Sequence, residues 1–250
     1  MKSHQELNSL ALKTRRLLGE DGYSPIDIFA LVNGWKEKKI TIVRYPLSER
    51  ISGMCTRIGE DIVICINSKS SYGRQRFTLA HELYHILYEN KMDRVICGMS
   101  FVGNKSDSEK EADQFAGYLL MPYDSLIQYG ENFSSWELKN IIEAEQFFQI
   151  SHMAMMLRLQ TDKLISEAEA MRYQGITVSR EAARLGYGKE LYLPLPKEQQ
   201  YFTTGEYIRK VENLAEKDII SNGKKEELLL DAYRADIVYN LDEEEPNLND

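Results

Sequence analysis

The sequence contains no run of about 18 apolar residues, the length that a membrane-spanning helix requires. Its first residues, Met1 to Glu6, include no apolar segment of the kind that a signal peptide carries. These absences argue against an integral membrane protein and against a secreted one. We therefore expect a cytoplasmic protein that has no membrane partner.

Cysteine is scarce, and the three residues Cys55, Cys65 and Cys97 are far apart in the chain. They form no Cys-x-x-Cys pair, and their number is odd. This pattern argues against a disulfide framework and against a structural zinc site made of thiolates. It favours small buried thiols in a reducing compartment.

An excess of positive charge is also absent, because the net charge is −8. Part of this charge lies in the last ten residues, with Asp242, Glu243, Glu244, Glu245 and Asp250. The rest of the chain is mildly acidic and shows no basic patch for nucleic acid. With 250 residues, 43% of them hydrophobic, the chain can form a core of one or two domains.

Histidine is rare as well, yet two of the four histidines belong to one motif, His-Glu-Leu-Tyr-His. On an α-helix, His81 and His85 lie one turn apart on one face, so both imidazoles can bind one metal ion. Glu82 lies beside that face, where it can act on a water molecule as general base. The opposite side of the helix is apolar, with Leu79, Leu83, Ile86 and Leu87. The pattern predicts a helix with a buried back and both histidines facing a cleft.

A second helix is predicted after Ser106, and it supplies acidic candidates for a third ligand. One of its faces carries Glu109, Ala112, Asp113, Ala116 and Leu120. The alanines allow close packing on the first helix, so we predict that Glu109 is the third ligand. Asp113, one turn further, is predicted to accept a hydrogen bond from a ligand histidine. Lys110 and Glu111 are expected to face solvent.

These two segments resemble a known family. Two stretches are similar to motifs of the ImmA/IrrE zinc metallopeptidases. They are Arg-Phe-Thr-Leu-Ala-His-Glu-Leu-Tyr-His at 76–85 and Glu-Lys-Glu-Ala-Asp-Gln-Phe-Ala-Gly-Tyr-Leu-Leu-Met-Pro at 109–122. The resemblance implies a gluzincin-type site with one zinc ion per chain. It implies His81, His85 and Glu109 as ligands and Glu82 as general base. Where this chain has Asp113, the family more often has Asn.

The family is bacterial and phage-borne, and its members cleave helix-turn-helix repressors that are encoded beside them. The resemblance therefore implies a protein substrate of that class for this chain. A zinc peptidase also needs a group that stabilises the oxyanion. Arg74, Tyr84, Tyr88, Tyr118 and Tyr123 are all candidates for that contact with the substrate.

The patterns along the chain predict an α+β fold: a small zinc-peptidase domain, built of N-terminal helices, a small sheet and the two metal helices, with a mainly helical C-terminal extension. Residues 1–128 are assigned to the metallopeptidase domain. Its predicted elements before the metal motif are helices at about 4–18 and 25–34 and strands at 40–45, 51–58 and 61–67, the last two joined by a turn. One edge of this sheet is expected to pair with an extended substrate.

Residues 129–172 are predicted to form two short helices that resemble a helix-turn-helix. The stretch 134–172 has four basic and six acidic side chains, whereas a DNA-reading segment needs a basic face. Direct DNA binding is therefore not expected. The alternatives are packing against the peptidase and docking of a partner.

Residues 173–240 are assigned to a separate C-terminal helical module. It contains a Pro-rich stretch at 191–196, predicted to be an extended linker, followed by helices at about 204–220 and 224–240. Residues 241–250 are predicted to form an acidic disordered tail.

Two functions compete on these observations. The first is a cytoplasmic zinc endopeptidase. The second is a regulatory or partner-binding protein whose metal site is structural or latent. Cys97, in a predicted loop between the two metal helices, would close the site as a fourth ligand and would favour the second function.

Overall fold

The structure is a computed structural model that describes residues 1–89, 94–98, 106–173 and 175–241, with backbone alone at 94–98. The helices are α1 His4–Leu17, α2 Ile28–Gly34, α3 Tyr72–Tyr88, α4 Asp107–Leu120, α5 Tyr123–Gly130, α6 Leu138–Phe148, α7 His152–Thr161, α8 Glu167–Tyr173, α9 Val178–Arg184, α10 Glu206–Glu216, α11 Asn222–Asp231 and α12 Ala235–Tyr239. Short 3₁₀ turns lie at Lys36–Lys38, Glu190–Tyr192 and Lys197–Gln199. The tail predicted after Leu241 lies outside the described residues.

Five strands form one mixed sheet in the order β4-β2-β3-β1-β5. They are β1 Ile40–Tyr45, β2 Ile51–Ile58, β3 Asp61–Asn67, β4 Arg94–Gly98 and β5 Phe202–Gly205. β1 and β3 are parallel, and the other neighbours are antiparallel. The predicted hairpin between β2 and β3 is confirmed, since Gly59 adopts a positive φ in its turn.

Helix α3 lies in the centre of the fold. It contacts β2, β3, α2 and α4, and nearly all of it from Gly73 to Ile86 is buried. Isoleucines of β1 and β3 form the apolar floor of this core, with Ile40, Ile42, Ile62, Ile64 and Ile66 all buried. The motif helix is therefore fixed by packing along most of its length, which confirms the expected buried back.

Helix α1 fixes the end of α4 through a buried arginine. Arg15 is fully buried, and its Nη1 donates to the carbonyl of Leu119 at 2.6 Å. Its other N–H groups donate to the carbonyls of Asp21 and Ser24. All three acceptors are backbone carbonyls, so the guanidinium joins α1, the following loop and α4.

Helices α6 and α7 pack into the same core as the predicted peptidase domain. Phe148, Met155 and Leu159 are fully buried members of the main apolar cluster. Gln149 turns the chain between the helices with a φ of 56°, and its carbonyl accepts from Arg76 of α3 at 2.8 Å. Of the two alternatives for this segment, packing against the peptidase is therefore what the structure shows.

The two helices predicted in the C-terminal extension differ from those in the structure. The helix predicted at 204–220 begins at Glu206, because residues 202–205 form strand β5 on the edge of β1. The helix predicted at 224–240 is two helices, α11 and α12. The extension is thus joined to the sheet by a backbone ladder that the sequence did not reveal.

The predicted fold class is confirmed: a small mixed sheet and helices carry the site, and a mainly helical extension follows. The domain boundaries stay a prediction. No helix among the described residues is both long and apolar enough to cross a membrane.

Candidate metal centre

The start of α4 places the predicted third ligand. Ser106 caps this helix, and its side chain accepts from the backbone N–H of Glu109. In a capping box the glutamate at that position would reach back to the cap. Here the carboxylate of Glu109 lies at the two histidines of α3 instead.

The structure brings the three predicted ligands together. His81 Nε2 and His85 Nε2 lie 3.1 Å apart. Glu109 presents Oε2 at 3.5 Å from His81 Nε2 and Oε1 at 3.4 Å from His85 Nε2. One donor atom from each residue lies within 4.8 Å of the other two, so the group could hold a metal ion.

Carboxylates also support the other nitrogen of each imidazole. His81 Nδ1 donates to Asp113 Oδ1 at 2.9 Å, and His85 Nδ1 lies 3.0 Å from Oε2 of Glu89. Such contacts fix the ring orientation and leave both Nε2 atoms directed at one point. The contact at Asp113 was predicted. Glu89 was missed, although its position four residues after His85 on the same helix was a usable signal.

The electrostatics of the cluster follow from these contacts. Burial is the largest effect on His81 and lowers its pKa, but hydrogen bonds to Asp113 and Glu109 outweigh it and raise that pKa to about 9. Burial also lowers the pKa of His85, but its hydrogen bonds to Glu109 and Glu89 outweigh burial and raise that pKa. For Glu109, burial favours the neutral acid, whereas the two histidines hold its pKa well below the ordinary value. The cluster therefore favours an ionised carboxylate beside two basic rings.

The carboxylate of Glu82 is buried and has few polar neighbours. It is fully buried, and its carboxylate oxygens accept no hydrogen bond from an N–H or O–H group among the described residues; the thiol of Cys55, a weak donor, is within reach. Gly53 of β2 makes room for it, since a Cβ there would lie 3.1 Å from Glu82 Oε1 and 2.6 Å from Thr78 Cγ2. Cys55 is buried nearby, and burial first, then the charge of Glu82, raises the pKa of its thiol.

An unpaired buried carboxylate is costly, so Glu82 is suited to a group that enters the site. A water molecule beside the three ligand atoms is such a group. Gly53 was not singled out from the sequence, because its role depends on how closely β2 approaches α3.

Three of the five candidates for the contact with the substrate, Tyr88, Arg74 and Tyr118, lie in different places. Tyr88 donates to the carbonyl of Leu10 at 3.2 Å and contacts Thr14 at 2.8 Å, so its hydroxyl faces α1 rather than the metal cluster. This placement does not support a contact with substrate. Arg74 is close enough to Asp113 for their charges to interact, although burial, the larger effect, lowers its pKa to about 10. Tyr118 lines a pocket beside the cluster.

Two expectations around the cluster were wrong. Glu111 is buried rather than solvated, and it accepts from Tyr84 of α3 and from Lys2 at 2.7 Å. Cys97 lies on strand β4, opposite Gly53 of β2, and not in a loop. Its side chain is outside what the structure describes, so its predicted approach to the metal stays a prediction.

The comparison with protein families supports this geometry. A model of the IrrE N-terminal-like domain, a peptidase family, matches residues 36–160, which is half of the chain. The chain belongs to this family. It is therefore a peptidase, and the match covers the sheet strands β1 to β4, both metal helices and α7. A search of curated proteins finds no match.

Proposed function

We propose that this peptidase is a zinc-dependent endopeptidase. The observation that carries the proposal is the cluster of His81, His85 and Glu109 beside the unpaired carboxylate of Glu82. Two imidazoles and one carboxylate are a donor set typical of catalytic zinc sites. Ligand atoms at about 2.0–2.1 Å from a tetrahedral ion lie about 3.3 Å apart, close to the separations of 3.1, 3.4 and 3.5 Å measured here.

The residues of the chain have distinct parts in this mechanism. A bound zinc ion would polarise the scissile carbonyl and lower the pKa of water to about 7. Glu82 takes a proton from the attacking water and passes it to the departing amine. Asp113 and Glu89 hold the imidazole rings in orientation, while the buried surroundings keep bulk water from Glu82.

The proposed substrate is a helix-turn-helix repressor encoded beside this protein, cleaved in the cytoplasm. Its support is the family membership together with the position of strand β4. β4 is the edge of the described sheet next to β2, the strand that contacts Glu82 through Gly53. An extended peptide can add to such an edge, so a folded repressor must offer a linker or unfold locally.

Co-expression with the neighbouring repressor tests the proposal. Wild-type protein should cleave the repressor, whereas Glu82→Gln should bind the same amount of zinc and lose turnover by about 10²–10⁴-fold, because a carboxamide cannot accept the proton. Zinc is measured in the purified proteins, and cleavage is followed by mass spectrometry of the repressor. An uncleaved repressor that also fails to bind Glu82→Gln under all inducing conditions removes the substrate. Unchanged cleavage by Glu82→Gln removes the role of that residue.

A further inference from the structure

The end of α3 and the start of α4 meet beside the metal cluster. Glu89 is the residue that follows α3, and its backbone N–H donates to the carbonyl of His85 at 3.3 Å. Its carboxylate turns back toward the same histidine, with Oε2 at 3.0 Å from His85 Nδ1. Glu89 is therefore placed to orient a metal ligand from just beyond the helix, where the backbone is less fixed than in the helix interior.

The hydroxyl of Ser108 supplies a second contact for this carboxylate. Ser108 lies in the first turn of α4, directly before the ligand Glu109, and its Oγ donates to Oε1 of Glu89. One oxygen of Glu89 thus contacts α4, while the other contacts His85. A hydrogen bond to a carboxylate is strong enough to offset the entropy that a glutamate loses when its side chain is fixed in one orientation.

The two serines at the start of α4 have different partners. Ser106 caps the helix, since its Oγ accepts from the backbone N–H of Glu109 at 3.3 Å. Ser108 donates instead to a residue outside α4. The formation of α4 therefore does not explain the contact of Ser108, which joins the two helices that carry the metal ligands.

The start of α4 also suits the charge of Glu89. This helix has 14 residues, and the N-terminus of such a helix carries a partial positive charge. An acidic side chain near the first turn is favoured by that charge. The electrostatics of α4 therefore favour the orientation of Glu89 that the hydroxyl of Ser108 fixes.

The two ligand histidines are supported in different ways. His81 Nδ1 donates at 2.9 Å to Asp113, which lies inside α4 one turn after Glu109 and whose side chain is 10% exposed. The side chain of Glu89, which supports His85, is 26% exposed and follows the end of its helix. The orientation of His85 should therefore depend on an additional contact more than that of His81 does.

We propose that Ser108 is a positioning residue that acts through Glu89 to fix the ring of the metal ligand His85. This role rests on the proposed function, because the ring is held in place for a zinc ion. It gives the first turn of α4 three tasks: Ser106 caps the helix, Ser108 supports one histidine, and Glu109 is a ligand.

Zinc affinity, measured by competition with a chelator, tests this role without any turnover. Glu89→Ala should lower the affinity by about 10–100-fold, the usual effect of losing a group that orients a ligand. Ser108→Ala should lower it by about fivefold, which corresponds to one hydrogen bond. Ser108→Thr keeps the hydroxyl and should restore the affinity of the wild type. An unchanged affinity in Ser108→Ala overturns the proposal.

Ser125→Ala is the matched control for that change. Ser125 of α5 is buried, and its hydroxyl donates to the carbonyl of Tyr23 at 2.7 Å, so the variant loses a serine hydrogen bond that does not involve a metal helix. It should bind zinc as tightly as the wild type. An equal loss of affinity in Ser125→Ala and Ser108→Ala would show a general effect on the fold and would contradict the positioning role.

A double variant tests whether Ser108 acts through Glu89. If it does, Ser108→Ala should cause no further loss of zinc affinity in a protein that already carries Glu89→Ala. Effects that multiply in the double variant would show that the two residues act independently, and the proposal would then be wrong.

The NMR signals of the two imidazole rings separate positioning from a general loss of stability. In Ser108→Ala the Nδ1 proton of His85 should exchange faster with water, while that of His81, held by Asp113, should be unchanged. Equal acceleration at both rings, or none, overturns the proposal. If the wild type binds no zinc, the proposed function fails, and the same ring signals of the metal-free protein decide the role of Ser108.

Discussion

The pair of helices α3 and α4 and the C-terminal segment, defined as residues 175–241, are held in place by different interactions. Helices α3 and α4 share the main apolar cluster, and their buried polar groups contact one another directly. None of the described residues of the C-terminal segment belongs to that cluster. This segment is attached by the β1–β5 ladder and by hydrogen bonds such as that from Tyr72 N–H to the carbonyl of Leu193. Side chains contribute as well, since the buried Leu191 lies next to Gly73 of α3 and Tyr201 contacts Tyr45 of β1.

This difference indicates separate energetic roles. Because α3 and α4 share one core, a change at one of its side chains alters both the metal site and the fold. Because backbone hydrogen bonds attach the C-terminal segment to the sheet, this segment can open locally while the peptidase stays folded. If the two regions are as independent as their contacts indicate, a change in one should leave the other intact.

The largest effect is expected at a metal ligand. His85→Ala removes one of three donors and should abolish stoichiometric zinc binding, as measured by metal analysis of the purified protein. His152→Gln, on α7 and outside the cluster, is the control and should keep about one zinc per chain. Zinc retained in full by His85→Ala would show that the cluster is not the binding site.

Two acidic residues of α4, Glu109 and Glu111, separate the effects on metal binding from the effects on folding. Glu109→Ala should lower zinc affinity strongly, because Glu109 lies at both histidines. Glu111→Ala should lower the free energy of unfolding by about 1–3 kcal/mol, since it leaves the buried hydroxyl of Tyr84 without its acceptor. Zinc titrations and denaturant unfolding measure the two effects, and equal losses of zinc affinity would show that the assignment of α4 faces is wrong.

The faces of α4 on which Glu109 and Glu111 lie could be predicted from the sequence. Helical periodicity and the spacing of the histidines depend on one element alone, so Glu109 and Asp113 could be chosen by their shared face. The role of Gly53 depends on the close approach of β2 to α3, which neither element reveals alone. Strand β5 was missed for the same reason, because four residues carry too little pattern and their pairing depends on β1.

A glycine in β5 tests the independence of the C-terminal segment. Gly205 has a φ of 94°, and a Cβ there would lie 2.3 Å from the carbonyl oxygen of Ile40. Gly205→Ala should therefore destabilise the β1–β5 ladder by about 1–3 kcal/mol, detected as faster hydrogen exchange at 202–205 with unchanged zinc content.

Gly223→Ala is the matched control for that change. A Cβ at Gly223 meets no atom within 4 Å, so its effect should be within about 0.5 kcal/mol. If Gly205→Ala instead releases zinc or exposes α3 to exchange, the two regions unfold together and the comparison fails.

The smallest effect is expected at a buried side-chain cluster around Glu145 that contacts the C-terminal segment. Glu145 of α6 is fully buried, it contacts His152 Nδ1 at 2.6 Å, and it accepts from Tyr192 of the C-terminal segment at 2.9 Å. His152 Nε2 faces the carbonyl of Tyr173 at 3.3 Å. Burial lowers the pKa of His152, but its contacts with Glu145 outweigh this and raise it. Burial is the dominant cause of the raised pKa of Glu145.

The raised pKa values of Glu145 and His152 give stability the same dependence on pH. A group whose pKa is higher in the folded than in the unfolded protein contributes stability below its unfolded pKa, and that contribution is lost as pH rises through the folded value. Relative to a double variant with Glu145→Gln and His152→Gln, the wild type should therefore lose unfolding free energy as pH rises above the ordinary pKa values of Glu145 and His152, 4.5 and 6.5. Denaturant unfolding at each pH measures the difference, in which titrations common to both proteins cancel. A difference that stays constant or grows with pH would show that Glu145 and His152 do not link the C-terminal segment to the peptidase through a proton-dependent contact.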